Sequence, residues 1–123
     1  MNIPEDRKYT KSHEWVKTLD NGIIEIGLTD YAQQELGDIV FVNLPRVGDS
    51  LQAGSPFADV ESVKAVSDIF SPLTGLVKEI NQEALDSPET INSSPYTAWL
   101  IRAQGEIPAE ELLPAAGYRA LLG

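Results

Sequence analysis

Lys64 is the residue in this chain best placed to do chemistry. It lies in Glu61-Ser62-Val63-Lys64-Ala65, a short turn-like run between two apolar β-type segments, Phe57-Ala58-Asp59-Val60 and Val66-Ser67-Asp68-Ile69-Phe70. Two strands joined by so few residues predict a hairpin with Lys64 near its tip. An amine there stands in water, within reach of another protein, with Glu61 and Asp68 as acids on either side. Spacing alone gives it no duty beyond solubility. A second group, Ser12-His13-Glu14, sets an imidazole beside a carboxylate, the pairing used in acid–base catalysis. No nucleophile accompanies it, so a surface histidine next to an acid is the simpler reading.

The rest of the chain offers little other chemistry. There is no cysteine, which excludes disulfides, thiolate nucleophiles and zinc–thiolate sites, and sulfur redox chemistry would need an attached group. A single histidine excludes a His-rich metal site. The net charge of −10 argues against nucleic acid, which needs a basic face, and against anionic lipid. It suits solubility and docking to basic patches on partner proteins. No apolar run is long enough to span a membrane. Met1 to Asp6 resembles neither a signal peptide nor a transit peptide. A cytoplasmic protein is expected, or one of the mitochondrial matrix if a transit peptide has been removed.

The 123 residues are expected to form one domain, 1–123, positioning Lys64 on a mainly β scaffold. Tyr9, Trp15 and Val16 are candidate core residues. Asn21-Gly22 signals a tight turn, after which Ile23 to Leu28 reads as a strand with Ile24, Ile26 and Leu28 on one face. Thr29 is a good N-cap, Asp30 suits the positive helix end and Gly37 is a good stop, so a short structural helix is predicted between them. Asp38 to Pro45 is a mostly apolar strand ended by proline, and its continuous apolar run predicts burial on both faces. Val47 to Gly54 is a turn-rich connection into the Lys64 hairpin. Beyond Ser71-Pro72-Leu73-Thr74-Gly75, a strand is predicted with Leu76, Lys78 and Ile80 on one side. Asn81 to Pro95 reads as a long polar loop with room for one helical turn, and Tyr96 to Arg102 as a strand with Thr97, Trp99 and Ile101 on one face. Pro108 and Pro114 suit first helical positions, and Tyr118, Leu121 and Leu122 could dock a C-terminal helix on the sheet.

Glu-Ser-Val-Lys-Ala, followed by Ser-Asp and then Ser-Pro-Leu-Thr-Gly, resembles the lipoyl-attachment segment of glycine cleavage system H proteins. KYTKSHEWV, IGLTDYAQQELGDIVFVNLP, VGDSLQAGSPFADVES and the tail before Gly123 extend the likeness over nearly the whole chain. One departure lies at Pro95-Tyr96-Thr97-Ala98-Trp99, which is shorter than the family's segment and lacks its glycine. The resemblance implies a flattened β-barrel or sandwich of the lipoyl/biotinyl-carrier (barrel-sandwich hybrid) type, built from two quasi-symmetric halves, with a short helix and a C-terminal helix. It implies lipoic acid in amide linkage to Lys64, with Ser12, Glu14 and Asp68 as candidates for contacting the arm. Glu61 is a candidate mark for the lipoate-attaching enzyme, which must find one lysine among five.

The family's role implies a carrier and no enzyme. It takes the aminomethyl group of glycine from a pyridoxal-phosphate glycine decarboxylase (P protein) to a tetrahydrofolate-dependent aminomethyltransferase (T protein). Dihydrolipoyl dehydrogenase (L protein) then reoxidises the dithiol. A shuttle visiting several enzymes is expected to be a monomer. A related role, an H-like relay passing lipoate to other acceptor proteins, fits the same residues. A biotinyl carrier fits less well, because Val63 and Ala65 flank the lysine where biotinyl domains place methionine. The Ser12 to Trp15 segment and the C-terminal helix argue against a bare lipoyl domain. An unmodified acidic interaction module is the reading left if Lys64 carries nothing.

Overall fold

A computed structural model describes residues 1–123. The chain forms two antiparallel sheets. The larger contains β1 (Lys8–Tyr9), β2 (Glu14–Thr18), β3 (Ile24–Leu28), β5 (Ser50–Leu51), β8 (Thr74–Ile80) and β9 (Ile101–Glu106), in the order β1-β2-β3-β9-β8-β5. The smaller contains β4 (Ile39–Asn43), β6 (Pro56–Ser62) and β7 (Val66–Phe70), in the order β4-β6-β7. Four short helices complete the fold: α1 (Asp30–Leu36), α2 (Gln82–Asp86), α3 (Thr90–Ser93) and α4 (Ala115–Leu122). This is the mainly β barrel-sandwich architecture expected, with the short helix and the C-terminal helix in place.

Local sequence explains the elements nearest the site. Asn21 and Gly22 both take positive φ, so the β2–β3 connection turns tightly at the Asn-Gly pair. The Thr29 hydroxyl accepts from the Ala32 amide at 3.1 Å and starts α1, and Gly37 ends it at φ 79°, ψ −161°, a conformation open essentially only to glycine. One long hairpin then runs from β5–β6 out to Lys64 and back through β7–β8. Its outer half, β6 with β7, belongs to the small sheet, and its base, β5 with β8, belongs to the large one. The strands change sheets at the same level, where Gly54 N–H donates to the Ser71 carbonyl and Ser71 N–H to the Ser55 carbonyl.

Three apolar clusters fill the interior. Leu28, Ile39, Val42, Val60 and Ile69 pack beneath α1 and the small sheet. Ile26, Leu51, Leu73, Val77 and Ile101 pack within the large sheet's side. Tyr9, Trp15, Ala115 and Tyr118 join α4 to β1 and β2.

Several expectations are corrected. β4 is buried on one face only, because a bulge between Ile39 and Phe41 breaks its alternation and leaves Val40 and Phe41 exposed while Ile39 and Val42 face inward. In β8 the core residue is Val77, and Leu76 faces solvent. A second irregularity between Val77 and Glu79 returns Ile80 to the core side. The polar stretch 81–95 contains two helices, α2 and α3, pinned by buried Ala84 and Ile91. The last strand begins at Ile101, not Tyr96. Residues 96–100 run irregularly, with Ala98 and Leu100 buried and Trp99 half-buried under the Arg102 guanidinium at 4.0 Å. That segment closes without glycine through Ala98 N–H to the Ser94 carbonyl, 2.9 Å, and no residue in it takes positive φ. Pro108 and Pro114 occupy cap positions, one residue before the helical turns they introduce. In α4 the buried residues are Ala115 and Tyr118, while Leu121 is exposed.

Candidate functional site

Lys64 stands at the tip of the hairpin, exposed and in no ion pair. The turn beneath it is closed by hydrogen bonds. Ser62 N–H donates to the Ala65 carbonyl at 2.8 Å, and the Ser62 hydroxyl oxygen accepts from the Ala65 amide at 3.1 Å and the Lys64 amide at 3.3 Å. Val63 N–H donates to the Asp38 carbonyl, 3.0 Å, which ties the tip to the start of β4. The lysine stem lies over Gly37, where a Cβ would meet Lys64 Cε at 3.5 Å. The glycine that ends α1 is thus also the floor on which the lysine rests.

Asn92 fixes that floor. Its Nδ2 donates to the Gly37 carbonyl at 2.9 Å and to Gln33 Oε1 at 3.0 Å, and its Oδ1 accepts from the Ile39 amide at 2.9 Å. One side chain on α3 therefore satisfies a C-terminal carbonyl of α1 and the first amide of β4.

A cavity of about 150 Å³ opens along α1 from this end. Its apolar walls are Leu28 at the end of β3, Ala32 and Leu36 on α1, and Val60 and Ile69 on the small sheet. Tyr31 and Glu35 of α1 also line it. From Gly37 to Tyr31 the helical rise is roughly 9 Å. The far end is polar and is made by the β1–β2 turn, Ser12, His13 and Glu14.

That turn is shaped by an uncommon backbone. His13 takes φ 74°, a conformation in which histidine is enriched but which still strains a non-glycine residue. Thr10 N–H donates to the Glu14 carbonyl at 2.9 Å and closes the turn. The His13 ring tilts over Tyr31 with centroids 4.6 Å apart, and its Nδ1 lies 2.8 Å from the Tyr118 hydroxyl. Burial holds the imidazole below its usual pKa, against the pull of Glu35. The same hydroxyl lies 2.8 Å from Thr29 Oγ1, and burial pushes the Tyr118 phenol up to about 12.

Glu14 is the buried acid of the site, 2% exposed. The Thr10 and Ser12 hydroxyls each donate to its Oε1 at 2.6 Å. Burial raises its pKa, opposed by these donors, which favour the ionised form.

The residues singled out from sequence therefore separate into two groups. Ser12 and Glu14 are together at the cavity's polar end. Asp68 stands at the cavity's edge, but strand alternation pairs it with Asp59 on the outer face of the small sheet, opposite the inward Val60 and Ile69. Glu61 is exposed on that outer face, beside Lys64 in the chain. Sequence reasoning missed Tyr31, Asn92 and Tyr118. Of these, only Tyr118 carried a signal, as a candidate docking residue of α4.

The sequence and the fold are shared with known proteins. The family model described as "Glycine cleavage H-protein" matches residues 7–122. The chain belongs to the glycine cleavage H-protein family. A glycine cleavage system H protein of Lachnoclostridium phytofermentans is 53% identical over 118 residues, covering 96% of this chain and 93% of the relative. One of Oceanobacillus iheyensis is 51% identical over 125 residues, covering 99% and 98%. The crystal structure of a glycine cleavage system H protein from Mycobacterium marinum superposes with a TM-score of 0.92 at 43% identity, covering 98% of this chain and 99% of that one.

Membership of the H-protein family makes the chain a carrier and not an enzyme, and implies a lipoyl-lysine. The residues present fit that group. An exposed lysine on a hydrogen-bonded turn offers the amine, and an apolar cavity suited to hydrocarbon ends at a buried carboxylate. No helix of the chain is long and apolar enough to cross a membrane.

Proposed function

We propose that Lys64 is the lipoylation site and that residues 1–123 act as one lipoyl-carrier domain. The chain is the lipoyl-bearing carrier of the glycine cleavage system, moving the aminomethyl group of glycine from glycine decarboxylase to the aminomethyltransferase. Dihydrolipoyl dehydrogenase completes the cycle. The reading places the protein with those enzymes, in the cytoplasm, or in the mitochondrial matrix where a transit peptide is removed.

The observation that carries the site is the Lys64 turn itself. Ser62, Ala65, Asp38 and Gly37 hold the lysine's backbone and stem in one orientation while its amine stays free. Attachment forms an amide between Nζ and the carboxyl carbon of lipoate activated as its adenylate. AMP leaves, and the amine loses a proton to solvent. Glu61 lies three residues before the lysine on the exposed face and serves as a recognition mark for that enzyme.

Bound there, lipoate supplies the redox-active dithiol that this cysteine-free chain lacks. The chain's own residues do the rest. Leu28, Ala32, Leu36, Val60 and Ile69 exclude water from the cavity. Ser12 and Thr10 aim the Glu14 carboxylate, which can hold an ammonium at the cavity's polar end.

Co-expression with a lipoate-attaching enzyme, followed by intact-mass measurement and peptide mapping, tests the site. A single lipoyl increment on Lys64, absent from Lys64→Arg, is the expected result. Arginine keeps the charge but cannot accept the acyl group in the same way. An increment retained in Lys64→Arg sinks the assignment.

A further inference from the structure

We propose that the exposed apolar face of the small sheet, Val40, Phe41 and Val66 with Val63 at the tip, is the docking surface for the enzyme that attaches the lipoyl group. That enzyme meets it with an apolar contact rimmed by basic side chains. The proposal rests on the assignment of Lys64 as the lipoylation site.

These four side chains are 54%, 51%, 66% and 69% exposed, respectively. Single exposed apolar residues are ordinary, but several gathered on one face beside a reactive side chain call for a partner. The register gathers these around one acid. Phe41 pairs with Glu61, and Glu61 with Val66, so Phe41 and Val66 flank Glu61 in one row across the sheet. Val40 occupies the β4 bulge beside that row, and Val63 precedes Lys64 in the turn. The bulge is what turns Val40 and Phe41 outward from a stretch whose apolar sequence would otherwise be buried.

Position and charge select the occupant. Enzymes that handle the cargo act at the far end of the arm. Only the attaching enzyme must bring its active site to Nζ itself, and any protein that does so covers Val63 and Val66. The three strands of this sheet carry Asp59, Glu61 and Asp68 and no lysine or arginine. A second copy of the chain would set these acids against their own kind, whereas a basic rim would match them.

The test measures lipoylation rates by intact mass, using apo-protein, lipoate, ATP, magnesium and purified lipoate–protein ligase. Phe41→Ser and Val66→Ser should each raise KM about tenfold, the loss of roughly 1.4 kcal/mol of binding, with kcat within about twofold of wild type. Leu76→Ser, at an exposed apolar residue of the other sheet, should change neither. Circular dichroism and melting confirm that each variant is folded. Wild-type KM should rise with ionic strength, and less so in Glu61→Gln.

An unchanged KM in both serine variants overturns the proposal, as does a KM insensitive to salt. Unchanged lipoylation with slower aminomethyl loading would give the face to glycine decarboxylase. A concentration-dependent dimer abolished by Phe41→Ser would give it to a second copy. Wild-type protein modified at another lysine would instead bring down the Lys64 assignment, and the docking proposal with it.

Discussion

The Tyr118 hydroxyl lies 2.8 Å from His13 Nδ1, although the two residues are 105 positions apart in the chain. The same oxygen reaches Thr29 Oγ1, the N-cap of α1. The C-terminal helix therefore does more than cover the sheet. It fixes the turn at one end of the cavity to the helix that forms its wall.

Tyr118→Phe leaves the ring packing on Tyr9 and removes this junction. The Thr29 hydroxyl is fully buried and loses one partner, so a destabilisation of about 1–3 kcal/mol is expected in urea unfolding. The His13 ring signal in NMR should also broaden or shift, which a loss of packing elsewhere would not produce.

Asn92→Ala removes three hydrogen bonds at once and frees the Gly37 carbonyl and the Ile39 amide. A cost of about 2 kcal/mol is expected, within the range for orphaned polar groups. Backbone amide exchange at Ile39 should accelerate. The Lys64 turn should stay paired, since its hydrogen bonds to Ser62 and Asp38 do not involve Asn92.

Glu14 makes stability depend on pH in a defined direction. Its folded pKa is raised, so the unfolded chain releases this proton first as pH climbs. The contribution is most favourable below the ordinary glutamate value near ~4.3 and is lost as pH rises through the raised folded value. Glu14→Gln abolishes that dependence. The stability difference between variant and wild type should therefore move in the variant's favour from pH 4 towards neutrality, as read by denaturant titrations at each pH. A difference that is flat across that window would contradict the burial-driven shift.

Gly27→Ala should be among the most damaging single-methyl changes in the chain. Gly27 faces Trp15 across β2 and β3, and a Cβ there would come within 2.5 Å of the indole ring. Trp15 is fully buried, with its Nε1 donating to the Pro95 carbonyl at 3.0 Å and Arg7 stacked on its ring at 4.6 Å. The ring has nowhere to retreat, so about 3 kcal/mol of destabilisation is expected, visible as a lowered melting temperature.

What the sequence revealed and what it hid divide along the reach of the interactions. The Lys64 hairpin, the Asn21-Gly22 turn and α1 depend on neighbours: a tight loop, a φ-permissive pair, a capping Thr29 and a terminating Gly37. The faces of β4 and β8 were misread because one irregular residue in each strand resets an alternation that periodicity alone assumes to be unbroken. The helices in 81–95 are too short for an apolar repeat and are held by Ala84 and Ile91 from outside. Ser12 and Glu14 were identified through resemblance. Their true environment, a buried carboxylate in a turn strained at His13, is assembled by residues from β7, α1 and α4 that no local window contains.

The change of sheet in the middle of the long hairpin has a mechanical consequence. Lys64 sits at the free end of a short beam whose root is clamped into the other layer by Gly54, Ser55 and Ser71. With lipoate on Lys64, as proposed, the pivot for the cargo is the lysine side chain alone, and the radius it sweeps is no longer than lysine plus lipoate. A carrier with so short a range cannot search for its partners with its arm. On that attachment, each enzyme has to come to the tip, and the cycle depends on encounters between whole proteins.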